Sequence, residues 1–134
     1  MTTIDTAPFL GLLHGTIILA SASVTRQNIL RAAGVDFNVA PTAIDEARVR
    51  ADAQAGDMVA DEIAVLLAFL KAQAASQILL PTQSPTNSSY IIGCDQLLLS
   101  DDHIMAKPES LTEAKQQLLM LAGKQHELLS AIVL

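Results

Sequence analysis

The sequence has few residues of several kinds: a single cysteine (Cys94), no tryptophan, and aromatic residues at only 3% of the chain. One cysteine excludes an internal disulfide framework and a cysteine-rich zinc module. Basic residues are also scarce, because 8 Lys and Arg stand against 14 Asp and Glu, which gives a net charge of −6. An acidic surface repels the phosphate backbone of DNA and RNA, so we expect no nucleic-acid polymer as a partner. A small anion held in a locally basic pocket is compatible with this charge.

Long apolar runs are missing as well. Gly, His or charged residues interrupt each apolar stretch before the roughly 18 residues that a membrane span needs. The first 15 residues carry Asp5 and neither Lys nor Arg, unlike the basic start of a secretory signal. We therefore expect a cytoplasmic protein without a membrane partner. The length of 134 residues, 51% of them hydrophobic, suits one domain spanning 1–134.

Hydrophobic periodicity predicts alternating strands and helices. The predicted strands are Thr16–Ala20, 35–40, 90–94 and 96–100 (two strands or one continuous strand), His103–Met105 and 126–134. The predicted helices are 24–33, 58–79 and 110–123, with a hairpin turn at Asp101 and Asp102 and a loop at 81–89. This order, β-α-β-α-β-β-α-β, is typical of an α/β domain with a mixed sheet flanked by helices.

Capping residues and apolar spacing define the predicted helices more closely. Ser110 and Glu113 form a capping box, Asp57 is a candidate N-cap, and Gly34 and Gly123 are helix-ending glycines. The faces predicted to point inward are Ile29, Leu30 and Ala33, then Ala60, Ile63, Ala64, Leu67, Leu70, Ala74 and Ile78, and finally Ala114, Leu118, Leu121 and Ala122.

The segment between the first strand and the first helix is a candidate phosphate site. Ser21, Ser23 and Arg26 lie there, where backbone N–H groups, hydroxyls and the positive end of a helix dipole meet. The alternative is that Ser23 is an ordinary N-cap and Arg26 a solvated surface residue. The pattern lacks the Gly and Lys of a P-loop.

Four further charged positions have both a chemical and an ordinary interpretation. Asp95 ends a hydrophobic stretch after a glycine, a common place for a metal ligand or a base, but also for a turn-capping carboxylate. Lys107 precedes a proline, either in a site or in an exposed turn. Lys71 lies beside the apolar stripe of the long helix, either in a cleft or at the edge of the core. Asp45 and Glu46 lie in a predicted loop and either bind a divalent ion or are simply solvated.

Other catalytic patterns are not found in the sequence. The histidines lack the spacing of a zinc site, and no G-x-S-x-G elbow occurs. Cys94 has no base beside it in the sequence, so we predict a small buried residue rather than a nucleophile.

Taken together and in order, these motifs resemble the Maf family of nucleoside triphosphate pyrophosphatases, also called septum formation inhibitor proteins. The resembling stretches are residues 18–41, 44–46, 60–76, 90–108 and 111–128. The resemblance implies an α/β fold with a cleft between two lobes, related to the inosine triphosphate pyrophosphatases. It also implies hydrolysis between the α and β phosphates of a nucleoside triphosphate, with a divalent cation, Mg²⁺ or Mn²⁺, as cofactor.

The resemblance assigns roles to eight residues. Asp95, Glu46, Lys71 and Lys107 would be catalytic, with Glu46 and Asp95 holding the metal. Ser21, Ser23, Arg26 and Gln96 would bind the nucleotide. Positive side chains would neutralise a triphosphate of about four negative charges, and the two acids would hold the cation or activate the attacking water.

Three departures from the family pattern qualify these expectations. Val24 and Thr25 stand where the family has a proline and a first arginine. Gln96 replaces a common threonine and looks more like the branch that acts on 7-methyl-GTP. The family also continues beyond residue 134 with a Tyr-Gly-Ile-Gln segment that helps to bind the base, so we expect a domain truncated at its C-terminus. The alternatives are an active pyrophosphatase, a nucleotide-binding remnant with impaired turnover, and a domain whose last strand pairs with a partner such as a second copy.

Overall fold

The computed structural model describes residues 15–79 and 88–134. The strands are β1 (Thr16–Ala20), β2 (Asn38–Val39), β3 (Ser89–Ser100), β4 (His103–Met105) and β5 (Glu127–Val133). The helices are α1 (Val24–Ala32), α2 (Glu46–Ala55), α3 (Ala60–Leu79) and α4 (Leu111–Leu121). Most of the predicted loop 81–89 and the N-terminal stretch 1–14 lie outside the described residues. The predicted α/β class with a mixed sheet is confirmed.

The sheet is built around β3, which is one continuous strand of 12 residues. Its first part pairs in parallel with β1, and β1 pairs in parallel with β2. Its second part pairs antiparallel with β4 and β5. Parallel neighbours with a helical crossover and antiparallel hairpin neighbours thus share one strand, which makes the sheet mixed.

The register leaves a short stretch of β3 unpaired on one edge. Gly93 faces Ala20 of β1 and also Val133 of β5, so β1 and β5 lie on opposite edges of β3. Leu98 faces partners in both β4 and β5, which places β4 on the same edge as β1. Pairing on that edge stops at Gly93 and resumes at Leu98, so residues 94–97 have no strand partner there within the described chain. The edge opens where Asp95 lies.

Helix α3 supplies most of the core. It packs across β3 and β5 and buries Ile63, Ala64, Leu67, Ala68, Lys71 and Ala75. Leu97 and Ala131 of the sheet complete the buried cluster with Ala53 of α2. By length and composition alone, α3 could cross a membrane, with a mean hydropathy of 1.4 over its most apolar stretch. A core helix passes the same test, and the buried face of α3 lies against the sheet.

The structure corrects the predicted loop around Asp45 and Glu46. Asp45 is the N-cap of α2, where its side chain accepts a hydrogen bond from the Arg48 backbone N–H at 3.0 Å, and Glu46 is the first helical residue. Ala53 is the buried residue of this helix, so its sequence has no apolar stripe to reveal it. Glu46 and Asp52 instead pair with arginines one turn away, at 3.8 and 3.6 Å.

The predicted turn and capping residues are confirmed in most places. Ser23 and Ser110 cap α1 and α4, and Gly34 and Gly123 adopt positive φ at the ends of those helices. Asp101 and Asp102 have φ of 49° and 63°, as a type I′ hairpin between β3 and β4 requires. Asp57 is not an N-cap, because it has φ of 58° and lies ahead of α3, which begins at Ala60.

Two of the predicted inward faces are wrong. Every residue of α1 and α4 is at least partly exposed; Ile29 is 62% exposed and Leu118 is 67% exposed. Ile78, near the end of α3, is also exposed. The periodicity correctly identifies apolar stripes, but within the described residues α1 and α4 do not lie against the apolar surface that would bury them.

Candidate active site

Lys71 joins two carboxylates from different parts of the fold. Its Nζ lies 2.6 Å from Asp95 Oδ1 and 2.9 Å from Glu46 Oε1. Lys71 and Asp95 are buried, with 9% and 5% exposure, whereas the Glu46 side chain is 42% exposed. A buried lysine and a buried aspartate need each other as counter-charges, because either charge alone would be costly in the interior. The geometry therefore fixes both side chains on the same side of β3.

The elements position this pair through a close helix–strand contact. Gly93 and Asp95 are two residues apart on β3 and point to the same face, which is covered by α3. A Cβ on Gly93 would overlap the Ala68 carbonyl oxygen and lie 2.9 Å from the Ala72 Cβ. The absence of a side chain lets α3 approach β3, and Lys71 of α3 then meets Asp95 one step further along the strand.

The segment before α1 lies at the unpaired edge of β3. Ser23 Oγ accepts the Arg26 backbone N–H at 3.4 Å, and Ser21 Oγ accepts the Ser23 backbone N–H at 3.2 Å. The Arg26 guanidinium donates through Nη1 to Ser21 Oγ and to the Cys94 carbonyl oxygen, both at 3.2 Å. Arg26 therefore bridges the end of β1 and β3 where the pairing of these strands stops. The sequence predicts Arg26 either as a phosphate-binding residue or as a solvated surface residue, and neither prediction includes this bridge.

A polar cavity of about 490 Å³ adjoins these groups. Six of the predicted site residues line it: Ser21, Ser23, Arg26, Glu46, Lys71 and Lys107. Asp95 does not line this cavity, but it is paired with Lys71, which does. The cavity thus combines three cationic side chains, three hydroxyls (Thr42 supplies the third) and a carboxylate at the N-terminal end of α1, where the helix dipole favours anions.

Gln96 does not line the polar cavity, although it directly follows Asp95 on β3. Its side chain donates through Nε2 to Ser130 Oγ of β5 at 2.9 Å. Both residues line a second cavity of about 480 Å³, whose other walls include Ile29, Leu30 and Ile132. Ser23 and Arg26 line both cavities, which are therefore neighbours.

Thr42 is a polar cavity residue that the sequence analysis missed. It lies in the loop between β2 and α2, a region with no motif to single it out. Its Oγ1 and Asp95 Oδ2 are buried atoms that have no hydrogen-bond partner among the described residues. Buried polar atoms are normally paired, so both atoms are candidates for contact with a bound group.

Cys94 is buried, as predicted, with 8% exposure. Burial raises the pKa of its thiol above the ordinary value, Asp95 adds to that effect, and Arg26 and Lys71 oppose it. The thiol therefore stays protonated near neutral pH, which does not suit a nucleophile.

Comparison with known proteins agrees with this architecture. The family model described as Maf-like protein matches residues 16–134. The chain is 36% identical over 118 residues to a 7-methyl-GTP pyrophosphatase of Brucella abortus, covering 88% of this chain and 56% of the relative. It is 40% identical over 119 residues to a nucleoside triphosphate pyrophosphatase of Rhodopseudomonas palustris (88% and 54%) and 32% identical over 117 residues to a dTTP/UTP pyrophosphatase of Vibrio parahaemolyticus (87% and 56%).

The chain belongs to the Maf-like protein family. It spans about half the length of the relatives it matches, 54% to 56% for these three.

Proposed function

We propose that this chain carries the phosphate-binding and catalytic cluster of a nucleoside triphosphate pyrophosphatase. The reaction would hydrolyse the bond between the α and β phosphates and release a nucleoside monophosphate and pyrophosphate. The observation that carries the proposal is the Lys71, Glu46 and Asp95 cluster beside a polar cavity. The names of the three relatives, all pyrophosphatases of nucleoside triphosphates, support the same reaction class.

The polar cavity offers the groups that a triphosphate requires. Arg26, Lys71 and Lys107 place three positive charges around it, although the chain as a whole is acidic. The hydroxyls of Ser21 and Ser23 and the start of α1 add neutral donors. Charge developing on the phosphate oxygens in the transition state would be stabilised by these fixed groups.

A divalent cation, Mg²⁺ or Mn²⁺, is the proposed cofactor, and the donor atoms fit it. Asp95 Oδ2 is a buried carboxylate oxygen without a hydrogen-bond partner among the described residues, and Glu46 lies on the other side of the same lysine. Both metals prefer carboxylate oxygen ligands, so Asp95 and Glu46 would hold the ion. When bound, such an ion neutralises phosphate charge and makes a coordinated water more acidic.

The two carboxylates have different environments and therefore different proposed roles. Asp95 is 5% exposed and fixed by Lys71, which suits a positioning and ligating group. Glu46 is partly exposed and can pass a proton to solvent, which suits a metal ligand that also acts as the base. Water would attack the α phosphorus, and its proton would go to Glu46. The bond from the α phosphorus to the α–β bridging oxygen would break, and pyrophosphate would leave with the electron pair of that bond.

The second cavity is proposed to receive the base. It adjoins the polar cavity through Ser23 and Arg26, and its walls are largely apolar with the Gln96 amide as a hydrogen-bonding group. Apolar walls with a few placed polar groups are typical of sites for aromatic ligands. Gln96 is therefore the proposed determinant of base preference, with 7-methyl-GTP the first substrate to test.

Pyrophosphate release from a panel of 7-methyl-GTP, GTP, dTTP, UTP and ATP tests the proposal, in Mg²⁺ or Mn²⁺ and with EDTA as the control. We expect release from at least one substrate, its loss in EDTA, and its loss in Asp95→Asn. Lack of release from every nucleotide at high protein concentration would contradict the enzymatic proposal.

A second candidate is nucleotide binding with impaired turnover, because the cations lining the polar cavity could bind phosphate whether or not hydrolysis follows. Calorimetry with a non-hydrolysable triphosphate separates the two functions. Binding that Lys107→Met weakens, together with the absence of pyrophosphate release, would select the binding function.

A further inference from the structure

The Lys71 ammonium lies where two carboxylates proposed as metal ligands converge. It contacts Asp95 Oδ1 at 2.6 Å and Glu46 Oε1 at 2.9 Å, both within hydrogen-bonding distance. An ammonium is a compact cation with three donors, so it can neutralise and orient both carboxylates at once. A divalent ion bound to the same oxygens would compete with this ammonium for their charge.

The burial of Asp95 explains why a cation is needed there before any ligand binds. Its carboxylate is 5% exposed, and removing a charge from water without a counter-charge is strongly unfavourable. Lys71 Nζ donates a hydrogen bond to Asp95 Oδ1 and so satisfies one carboxylate oxygen, whereas Asp95 Oδ2 has no partner among the described residues. The carboxylate is thus half satisfied by the lysine and retains a free oxygen for a second cation.

The number of acidic ligands is small. Over residues 15–79 and 88–134, no group of three or more His, Cys, Asp or Glu side chains is placed to hold a metal ion. Magnesium is commonly bound by one or two carboxylates together with substrate phosphates and water. The two carboxylates of this cluster, already paired with a lysine, form a weak site until phosphate oxygens complete it.

We infer that Lys71 acts as a stand-in cation that keeps the divalent ion weakly bound until the nucleotide arrives. In the free protein, the ammonium holds Asp95 and Glu46 together. When a nucleotide and its metal ion bind, Lys71 releases the carboxylates and turns to the phosphate oxygens, since it already lines the polar cavity. The movement of Lys71 to the phosphate oxygens rests on the proposed function. The competition between Lys71 and the metal ion for the two carboxylates does not require turnover.

Binding of Mn²⁺ alone, measured by calorimetry and by electron paramagnetic resonance, tests the competition. We expect Lys71→Met to bind Mn²⁺ at least about tenfold more tightly than wild type, because a unit positive charge within 3 Å of both carboxylates is removed. Lys107→Met is the matched control: it removes the same charge from the same cavity, and we expect its Mn²⁺ affinity to change less than about threefold. Equal or weaker binding by Lys71→Met overturns the inference.

Folding of the variant is followed in the same titration by circular dichroism. If Lys71→Met is unfolded in EDTA, we expect Mn²⁺ to restore the native spectrum, and a failure to refold in millimolar Mn²⁺ also overturns the inference. Pyrophosphate release by the wild type is measured separately. Tighter Mn²⁺ binding without pyrophosphate release would leave the competition intact and reject the proposed reaction, so the two failures are distinguishable.

Discussion

Gly93 of β3 lies directly against the backbone of Ala68 in α3, with no room for a side chain between them. A Cβ at Gly93 would overlap the Ala68 carbonyl oxygen, which cannot move without moving the helix. One turn further along α3, Lys71 meets Asp95 two residues further along β3. The spacing between helix and strand at Gly93 therefore sets the spacing of the ion pair.

The first prediction is that Gly93→Ala weakens both folding and the site. The added methyl group forces α3 away from β3, and we expect a loss of about 1–3 kcal/mol in the free energy of unfolding, as overpacking usually causes. The longer distance from Lys71 to Asp95 should also lower pyrophosphate release. Urea denaturation and a pyrophosphate assay measure the two effects.

Gly56→Ala is the matched control for this substitution. Gly56 follows α2, where a Cβ would meet its nearest neighbour, the Ala53 carbonyl oxygen, at an ordinary 3.5 Å. We expect a change within about 0.5 kcal/mol, as for surface substitutions in general. Similar losses in both variants would show that the close contact at Gly93 has no special effect.

The second prediction concerns Asp95. Asp95→Asn keeps the shape of the side chain but removes the charge of a proposed metal ligand, so we expect pyrophosphate release to fall by about 10²-fold or more, the scale of losing one electrostatic stabilising group. Asp101→Asn is the control: Asp101 also pairs with a lysine, at 2.8 Å, but this pair lies on the exposed hairpin turn. Full activity in Asp95→Asn, or equal losses in the two variants, would contradict the assignment.

Much of the fold follows from local sequence signals. The β-branched run of β1, the capping box at Ser110 and the paired aspartates of the hairpin are each readable from a few neighbouring residues. Helix α2 is not predicted because its contacts with the core are few, Ala53 and Val49, and they form no long apolar stripe. The apolar stripes of α1 and α4 predict buried faces, but these faces are at least partly exposed in the structure. Periodicity shows that a helix face is apolar but not what covers it.

The site was less accessible from the sequence. Spacing along the chain placed Lys71 at the edge of the apolar stripe, and only the packing of α3 on β3 shows that it is buried against Asp95. The bridge from Arg26 to the Cys94 carbonyl depends on where two strands stop pairing, which no local pattern encodes. The resemblance to the family names eight site residues, of which six line the polar cavity, Asp95 contacts Lys71, and Gln96 lines the neighbouring cavity. The residue pattern alone leaves the role of each one open. Their catalytic roles stay predictions.

The third prediction is that Arg26 stabilises the strand edge in addition to its proposed role in binding phosphate. Arg26→Lys keeps the charge, but lysine cannot reproduce the two contacts that Nη1 makes with Ser21 Oγ and the Cys94 carbonyl oxygen. We expect unfolding free energy to fall by about 1–2 kcal/mol, the scale of one or two part-buried hydrogen bonds. In a pyrophosphate assay the KM for nucleotide should rise.

Arg31→Lys provides the comparison for Arg26→Lys. Arg31 also makes two side-chain hydrogen bonds, to Asn28 and Gln27, but on the exposed surface of α1. We expect its stability to change by less than about 0.5 kcal/mol. If Arg26→Lys unfolds with the same midpoint as Arg31→Lys, the bridging role of Arg26 is wrong.

The last prediction follows from the raised pKa of Cys94. Burial holds the thiol in its neutral form, so Ellman's reagent should react more slowly with the folded chain than with the chain in urea at the same pH. The folded pKa lies above the unfolded one, so the thiol contributes stability that is fully present below the unfolded pKa and lost as pH rises through the folded pKa. We therefore expect the stability difference between wild type and Cys94→Ala to shrink as the solution becomes alkaline. A difference that grows with pH, or a folded thiol as reactive as the unfolded one, would show that Cys94 is ionised more easily than its burial implies.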